Sequence, residues 1–167
     1  MLEKADQILV GVDLLMKGGK VNKAFIGIEE NKPDAIALLT EKAKASYPNI
    51  EIVPLKTKYP QGGEKQLIDA VVARQVPAPP AIPVNVGAIV QNVGTAYAVY
   101  EAVMKNKPLF ERVVTVTGKS LAHPSNFLTR MGTPMSQLID ACGGLPADTG
   151  KVIGGGPMMG KALPNTE

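Results

Sequence analysis

Cysteine, histidine and tryptophan are almost absent from this chain. Its 167 residues contain one cysteine, Cys142, one histidine, His123, and no Trp. A single thiol cannot form an internal disulfide, and it cannot supply the ligands of an iron–sulfur cluster or a structural zinc site. His123 stands beside Pro124 without Cys, Asp or Glu at ligand spacing, so we expect a surface-loop histidine. The sequence therefore predicts no metal site within the chain.

Aromatic residues and uncompensated charge are also scarce. Phe, Tyr and Trp together make up 4% of the chain, which does not favour stacking surfaces for single-stranded nucleic acid. The 18 Lys and Arg are interleaved with 15 Asp and Glu, so the net charge of +3 forms no basic stripe. With 45% hydrophobic and 20% charged residues, the chain is expected to fold.

Long uninterrupted hydrophobic runs are missing. The longest stretch poor in charge, residues 75–104, is broken by prolines and polar residues and does not predict a membrane span. The charged start, residues 1–6, does not predict a secretory signal, because its apolar positions have the spacing of an amphipathic helix.

Apolar periodicity alternates between helix and strand along residues 2–72. We predict a helix over 2–16 that stops at Gly18 and Gly19, a strand over 23–28, a helix from Pro33 to Tyr47, a strand over 50–55 and a helix over 62–72. A proline-rich crossing follows at 76–84, then a strand over 87–90, a turn, and a helix over 96–104. This order predicts a layered α/β sheet that is parallel in part.

The pattern changes after residue 108. A β-branched run at 112–117 predicts a strand, and 125–131 is expected to pair with it. Thr133 and Pro134 fit the start of a short helix over 135–142, with a further short strand at 151–153. These elements predict a small α+β unit, and we place the boundary near Leu109.

Four motifs now identify a family. They are Lys58-Tyr-Pro-Gln-Gly-Gly-Glu-Lys-Gln-Leu-Ile68, Val90-Gln-Asn-Val-Gly-Thr95, Arg112-Val-Val-Thr-Val-Thr-Gly118 and Gly155-Gly-Pro-Met-Met-Gly160. In order and spacing they resemble the C subunit of the Rnf electron transport complex over essentially the whole chain. That protein is similar to the flavin-carrying subunit of respiratory complex I.

The resemblance implies a function and a location. Residues 1–108 would be part of an FMN-binding α/β domain, and residues 109–167 a β-grasp, soluble-ligand-binding domain with a C-terminal tail. The full-length subunit would oxidise NADH through FMN and pass electrons to two [4Fe-4S] clusters. Its partners would be the other subunits of a membrane-bound, ion-translocating NADH:ferredoxin oxidoreductase, on the cytoplasmic face of the cell membrane.

The family's glycine-rich loop with a Gly-Phe-Pro-Thr motif, its following acidic segment and its cysteine-rich tail have no counterpart in this sequence. We therefore expect an excised piece of a longer protein that lacks part of the flavin site. Alone, it is expected to be inactive and to bind no cofactor tightly.

Gly62, Gly63 and Glu64 are the first candidate cofactor-binding residues. In the wider family this turn lines the flavin and nicotinamide pocket, and glycines allow close approach of a ligand to the backbone. The alternative is a tight turn in which Glu64 complements the dipole of its own helix. Lys65 is left outside the site, because complex I relatives carry another residue type there.

Asn92 and Thr95 are the second candidates. Their amide and hydroxyl, with the following helix N-terminus, suit an FMN phosphate or ribityl hydroxyls. The alternative is an ordinary helix cap. Gly94 replaces a Glu of the relatives, so further contacts are not carried over. We expect both turns to lie at the same edge of the sheet.

Two functions compete at this point. One is a flavin-dependent electron-transfer subunit, in which the cofactor carries the chemistry and no side chain is catalytic. The other is a non-catalytic docking or ligand-binding module that joins the flavin and cluster domains. A free-standing phosphosugar or nucleotide enzyme is disfavoured, because no complete phosphate fingerprint or acid–base set is present.

Cys142, near a helix end, and the Met158-Met159 pair are expected to be structural.

Overall fold

The chain divides into two compact units. The computed structural model describes residues 1–156 and 159–166. Contacts between residues separate unit 1, Met1–Pro108, from unit 2, Leu109–Glu167.

Helices and strands alternate along unit 1, which confirms the predicted α/β character. The elements are α1 Ala5–Gly19, β1 Ala24–Glu29, α2 Pro33–Ser46, β2 Ile50–Leu55, α3 Glu64–Val72 and α4 Val93–Lys105. Strands β1 and β2 pair in parallel, with Ala24 opposite Ile50 and Glu29 opposite Leu55. Because parallel neighbours need a crossover, α2 makes the return between them.

The core of unit 1 lies between the β1–β2 pair and helices α1 and α2. Leu9 of α1 and Leu39 of α2 are completely buried, and they cluster with Ile26, Ile28 and Ile50 of the sheet. Burial of each such side chain is worth about 1.5–3 kcal/mol before the entropy of folding is counted. This cluster is the hydrophobic core of the unit that holds the candidate site.

Helix α4 packs against α1 at a glycine. A Cβ atom at Gly11 would overlap the Ala96 carbonyl oxygen and lie 2.6 Å from its carbonyl carbon. Gly11 and Ala96 are both buried. The small residue therefore lets the two backbones approach closely, and α1 positions the helix that begins at Asn92.

Unit 2 is built from short elements. Strands β3 Glu111–Val116 and β4 Ser125–Arg130 form an antiparallel pair, as predicted, with Val113 opposite Leu128. Helix α5 Met135–Ala141 follows, and β5 Ile153–Gly154 pairs with β6 Lys161–Ala162. These elements are compatible with an α+β unit but do not establish a β-grasp topology, which stays a prediction.

The predictions for two glycine-containing segments of unit 1 are wrong. Helix α1 continues through Gly18 and Gly19, because the left-handed residue that ends it is Lys20, with φ +53°. Residues 87–90 are not a strand in the structure. Gly87, with φ +70°, ends a 3-10 turn, and the Ala88 N–H donates back to the Pro83 oxygen at 3.2 Å. Among the residues that the structure describes, the segment has no ladder partner.

Two smaller corrections fall in unit 2. Pro134, not Thr133, is the N-cap of α5, and no side chain caps that helix. Thr133 donates its backbone N–H to the Arg130 oxygen and so belongs to the turn after β4. The last predicted strand lies two residues later than 151, at β5, because its pairing partner is β6.

The sequence predicts no membrane-spanning helix. Across residues 1–156 and 159–166, none of the helices combines the length and the apolar character that crossing a bilayer requires.

Candidate functional site

The turn before α3 is held by a buried glutamine. Gln61 is only 7% exposed, and its Nε2 donates to the Lys56 backbone oxygen at 3.0 Å. This hydrogen bond closes the loop between β2 and α3 from inside, so it fixes where the following glycines lie. Sequence reasoning missed this role, although an amide between Pro60 and Gly62 in a short loop is a signal for such a bond.

Gly62, Gly63 and Glu64 form the exposed part of this turn. Neither glycine has a positive φ, so the backbone conformation does not itself demand glycine. No atom lies within 4 Å of the place where a Cβ of Gly62 would stand. Gly63 is the N-cap of α3 without a side-chain cap, and Glu64 is the first helical residue. The first N–H groups of α3 therefore lack partners within the helix. The Gln66 side chain folds back beside Gly63, where its Oε1 would overlap an added Cβ, so the open space lies at Gly62.

Asn92 begins α4 as an N-cap. Its Oδ1 accepts a hydrogen bond from the Gly94 N–H at 2.8 Å, and its backbone oxygen accepts from the Ala96 N–H at 3.1 Å. The capping alternative is therefore present in the structure. Capping occupies Oδ1, so the amide nitrogen of Asn92 is the part of the side chain left to donate to a ligand.

Thr95 lies in the first turn of α4, because this helix starts three residues earlier than predicted. Its side chain is half-buried, and no hydrogen bond to its hydroxyl occurs within residues 1–156 and 159–166. The hydroxyl is consequently available as a donor and an acceptor beside the N-terminus of the helix.

The two turns are built separately. Among the described residues, no hydrogen bond or ion pair joins Gly62, Gly63 or Glu64 to Asn92 or Thr95. The expectation that both follow strands at one sheet edge is wrong for the second turn, because residues 87–90 are not a strand. Each turn instead offers a helix N-terminus in unit 1.

The far end of α4 carries a charged cluster around Glu101. The Tyr97 hydroxyl donates to Glu101 Oε1 at 3.1 Å, and Lys107 Nζ lies 3.3 Å from Oε2. Lys105 Nζ lies 3.8 Å from Oε1. Burial works to raise the pKa of Glu101, but the hydrogen bonds from Lys107 and Tyr97 and the nearby lysine charges outweigh it, so the pKa lies below its usual value. Burial and the bond to Glu101 raise the pKa of Tyr97. This cluster ties the chain after α4 to the helix.

The remaining sequence candidates lie in unit 2. Cys142 is completely buried at the end of α5, and its backbone oxygen accepts from the His123 N–H at 3.1 Å. His123 is exposed. Met158 falls outside the described residues, whereas Met159 is 81% exposed.

An open groove of about 520 Å³ also belongs to unit 2. Its lining mixes apolar and polar groups and includes Lys151. The other main contributors are Leu145, Thr149, Leu163 and Asn165. None of the residues predicted to bind a cofactor lines this groove.

Two family models match this chain. Residues 1–101 match the Nuo51 FMN-binding domain, and residues 113–162 match the SLBB domain. The first match contains Gly62, Gly63, Glu64, Asn92 and Thr95. It also covers more than half of the chain.

Whole-chain relatives carry consistent names. The C subunit of the proton-translocating ferredoxin:NAD(+) oxidoreductase complex of Clostridium ljungdahlii is 45% identical over 167 residues, which are 100% of this chain and 36% of the relative. The C subunit of the Na(+)-translocating ferredoxin:NAD(+) oxidoreductase complex of Acetobacterium woodii is 45% identical over 160 residues, 96% of this chain and 36% of the relative. The C subunit of the ion-translocating oxidoreductase complex of Erwinia tasmaniensis is 42% identical over 167 residues, 100% of this chain and 20% of the relative.

The chain thus spans about a third or less of the length of these relatives. Its likeness to them extends through both units, as the four sequence motifs predicted. An SLBB domain follows the Nuo51 FMN-binding domain in this chain, and over both domains the chain is similar to the C subunit of the Rnf electron transport complex. The chain belongs to the family of the Nuo51 FMN-binding domain.

Proposed function

We propose that this chain is the part of an electron-transfer subunit that contributes one wall of an FMN site. The observation that carries the proposal is that the match to the FMN-binding domain, residues 1–101, contains both candidate turns, each of which precedes a helix N-terminus. In full length, the subunit would oxidise NADH through FMN and pass electrons to [4Fe-4S] clusters held in another domain. It would act within a membrane-bound, ion-translocating NADH:ferredoxin oxidoreductase.

The residues of α4 fit the polar part of FMN. A helix N-terminus favours a phosphate through its free N–H groups and its dipole. In α4 the Gly94 and Thr95 N–H groups already donate to Asn92, so this helix would act on a phosphate chiefly through its dipole. Thr95 has an unused hydroxyl at the same end, and Asn92 keeps its amide nitrogen free for donation. Both suit a phosphate or the ribityl hydroxyls. Position 94 is glycine, so no side chain obstructs the approach.

The turn before α3 fits a flat or extended ligand. Gly62 leaves open space where other residues carry a side chain, so a ring or a ribose can lie against the backbone. The exposed Glu64 carboxylate can accept hydrogen bonds from ribose or amide groups of a dinucleotide. We assign this turn to the flavin and nicotinamide side of the site.

When bound, FMN supplies the redox chemistry between a two-electron hydride donor and one-electron carriers. The side chains of this chain bind and orient it, and we assign none of them a catalytic role. The subunit would lie against the cytoplasmic face of the membrane through its partner subunits.

A docking role for unit 2 is the second candidate. Val113 and Leu128 are a directly opposed pair on one face of the β3–β4 hairpin, and they are 69% and 67% exposed. An exposed cross-strand apolar pair is typical of a surface that meets another domain or subunit. On this alternative, unit 2 joins the flavin domain to the cluster domain, with a β-grasp topology.

Substitutions at α4 in a protein extended to the length of its relatives test the flavin assignment. We expect Asn92→Ala combined with Thr95→Val to weaken FMN binding by about tenfold or more, since two hydrogen bonds to a charged ligand are lost. Asn106→Ala, at the opposite end of the same helix, is the matched control. Equal flavin affinity in both variants would contradict the assignment.

A further inference from the structure

The side-chain amide of Gln61 is hydrogen-bonded through its nitrogen only. Its Nε2 donates to the Lys56 backbone oxygen at 3.0 Å, and a backbone oxygen only accepts, so the amide oxygen lies on the other side. Among the residues that the structure describes, no hydrogen bond reaches this Oε1. The oxygen is therefore an unused acceptor on a side chain that is more than nine-tenths buried.

This free oxygen is open to the outside of unit 1. In the described part of the chain, no fully enclosed side-chain oxygen or nitrogen lacks a hydrogen bond, so Oε1 reaches the surface. The next residue is Gly62, and no atom lies within 4 Å of the place where its Cβ would stand. The oxygen and the open space thus belong to adjacent residues of one short turn, and one ligand can contact both.

Burial makes the Gln61 acceptor rigid. A glutamine at the surface samples many rotamers, and a ligand that uses it loses affinity to the entropy of ordering it. Packing and the hydrogen bond to Lys56 fix the Gln61 amide before any ligand arrives. A hydrogen bond to Oε1 therefore needs little further ordering, as in a preorganised binding site.

The polar groups of this turn favour a neutral donor over an anion. The Gln61 oxygen accepts and cannot donate, and the exposed Glu64 carboxylate repels a phosphate. The Gln66 Oε1, another acceptor, folds back beside Gly63 at the start of α3. The donor that matches an amide oxygen is an amide-type N–H, which is present in the imide of the flavin ring and in the carboxamide of nicotinamide.

We propose that the Gln61 Oε1 accepts a hydrogen bond from an amide-type N–H of the bound cofactor, the flavin imide or the nicotinamide carboxamide. This inference rests on the proposed function, since it adds a contact to the same site. It gives the two ends of one amide different roles. The nitrogen fixes the turn, and the oxygen binds the ring edge of the ligand.

A flavin analogue without the imide N–H separates these two roles. FMN and FMN methylated at the imide nitrogen are titrated against a protein extended to the length of the relatives, unchanged or as Gln61→Met. We expect methylation to weaken binding to the unchanged protein by about tenfold, because Oε1 then faces a methyl group. Gln61→Met is of similar size and should bind FMN more weakly, but it should bind both flavins with affinities within about twofold. Circular dichroism checks that the variant is folded.

A second pair of ligands tests the nicotinamide in the same way. With FMN bound, the oxidised nicotinamide dinucleotide is compared with an analogue in which an acetyl group replaces the carboxamide. If the carboxamide is the donor, the analogue should bind the unchanged protein about tenfold more weakly, and Gln61→Met should not distinguish the two. Discrimination that depends on Gln61 in either pair supports the proposal, and the pair that shows it identifies the donor.

Gln75→Met is the matched control, because Gln75 is an exposed glutamine of the same unit. It should discriminate between the ligands as the unchanged protein does. Equal discrimination by Gln61→Met and the unchanged protein overturns the proposal. So does an unchanged protein that discriminates in neither pair, a result that needs no variant.

Failure of this inference can be told apart from failure of the proposed function. An extended protein that binds no FMN overturns the proposed function, and this inference with it. FMN binding without discrimination in either pair leaves the proposed function standing and removes only the contact to Gln61.

Discussion

The substitution Gly11→Ala should separate the two helices that support the candidate site. The added Cβ meets the carbonyl group of Ala96, whose carbon lies 2.6 Å from the ideal Cβ position. Backbone atoms cannot rotate away as a side chain does, so α1 and α4 must move apart. Because Asn92 and Thr95 lie at the start of α4, the same movement displaces them.

The magnitude follows from two opposing effects. Replacing a helical glycine by alanine stabilises a helix by about 1 kcal/mol. Overpacking a well-packed interior costs about 1–3 kcal/mol, and contact with backbone on both sides places this position at the upper end. We expect a net loss of about 2 kcal/mol and a fall in melting temperature of about 8 °C.

Gly18→Ala provides the control within the same helix. Gly18 is also helical, but no atom lies within 4 Å of its Cβ position. This variant should therefore be up to about 1 kcal/mol more stable than the unchanged chain. Urea unfolding followed by circular dichroism measures both. If Gly11→Ala were as stable as Gly18→Ala, the close packing of α1 on α4 would be refuted.

Substitutions at three positions test further interactions. Gln61→Ala should cost about 1–3 kcal/mol in urea unfolding, since the Lys56 oxygen loses its buried donor; a loss under about 0.5 kcal/mol would contradict the role of this bond. Asn92→Ala should cost about 1 kcal/mol and Asn92→Asp much less, because only the aspartate retains a capping oxygen; equal losses would contradict the cap. The pKa of Glu101 is lower in the folded chain than in the unfolded chain. As the pH falls, the carboxylate of the unfolded chain is therefore protonated before that of the folded chain. Its stabilisation is therefore complete above about pH 5 and is lost as the pH falls through the folded-state pKa. Glu101→Gln should remove this part of the pH dependence, and an unchanged profile would contradict it.

Elements with strong local signals could be predicted from the sequence. The bounds of β2 agree with the prediction, and α2 begins at Pro33 as expected. Both depend on neighbouring residues alone: an apolar run for the strand, and a proline at the first helical position. The pairing of β3 with β4 was also predictable, because two β-branched or aromatic runs lie close in sequence.

Elements that depend on distant residues were predicted poorly. Residues 87–90 have an apolar strand pattern, but a strand also needs a partner, and the turn at Gly87 directs the chain away from one. For α1, two glycines predicted the end, yet the left-handed residue is Lys20, where the Val21 N–H reaches back to the Met16 oxygen. The end of this helix is fixed by that hydrogen bond rather than by residue type.

At the candidate site too, features that depend on neighbouring residues were predictable and features that depend on distant residues were not. Asn92 was recognisable as a helix start, and its capping hydrogen bond is a local interaction. The burial of Gln61 was not recognisable, since it depends on how the loop after β2 folds back on itself. The relation between the two turns could not be predicted either, because the prediction assumed a second strand that the structure lacks.

Titration of FMN, followed by quenching of flavin fluorescence, tests the central claim most directly. We predict that the 167-residue chain binds FMN weakly or not at all. A protein extended to the length of the relatives should bind one FMN per chain, because we propose that this chain contributes one wall of the site. Failure of the extended protein to bind FMN would contradict the flavin assignment and favour the docking role. Tight binding by the 167 residues alone would contradict the view that they form only one wall of the site.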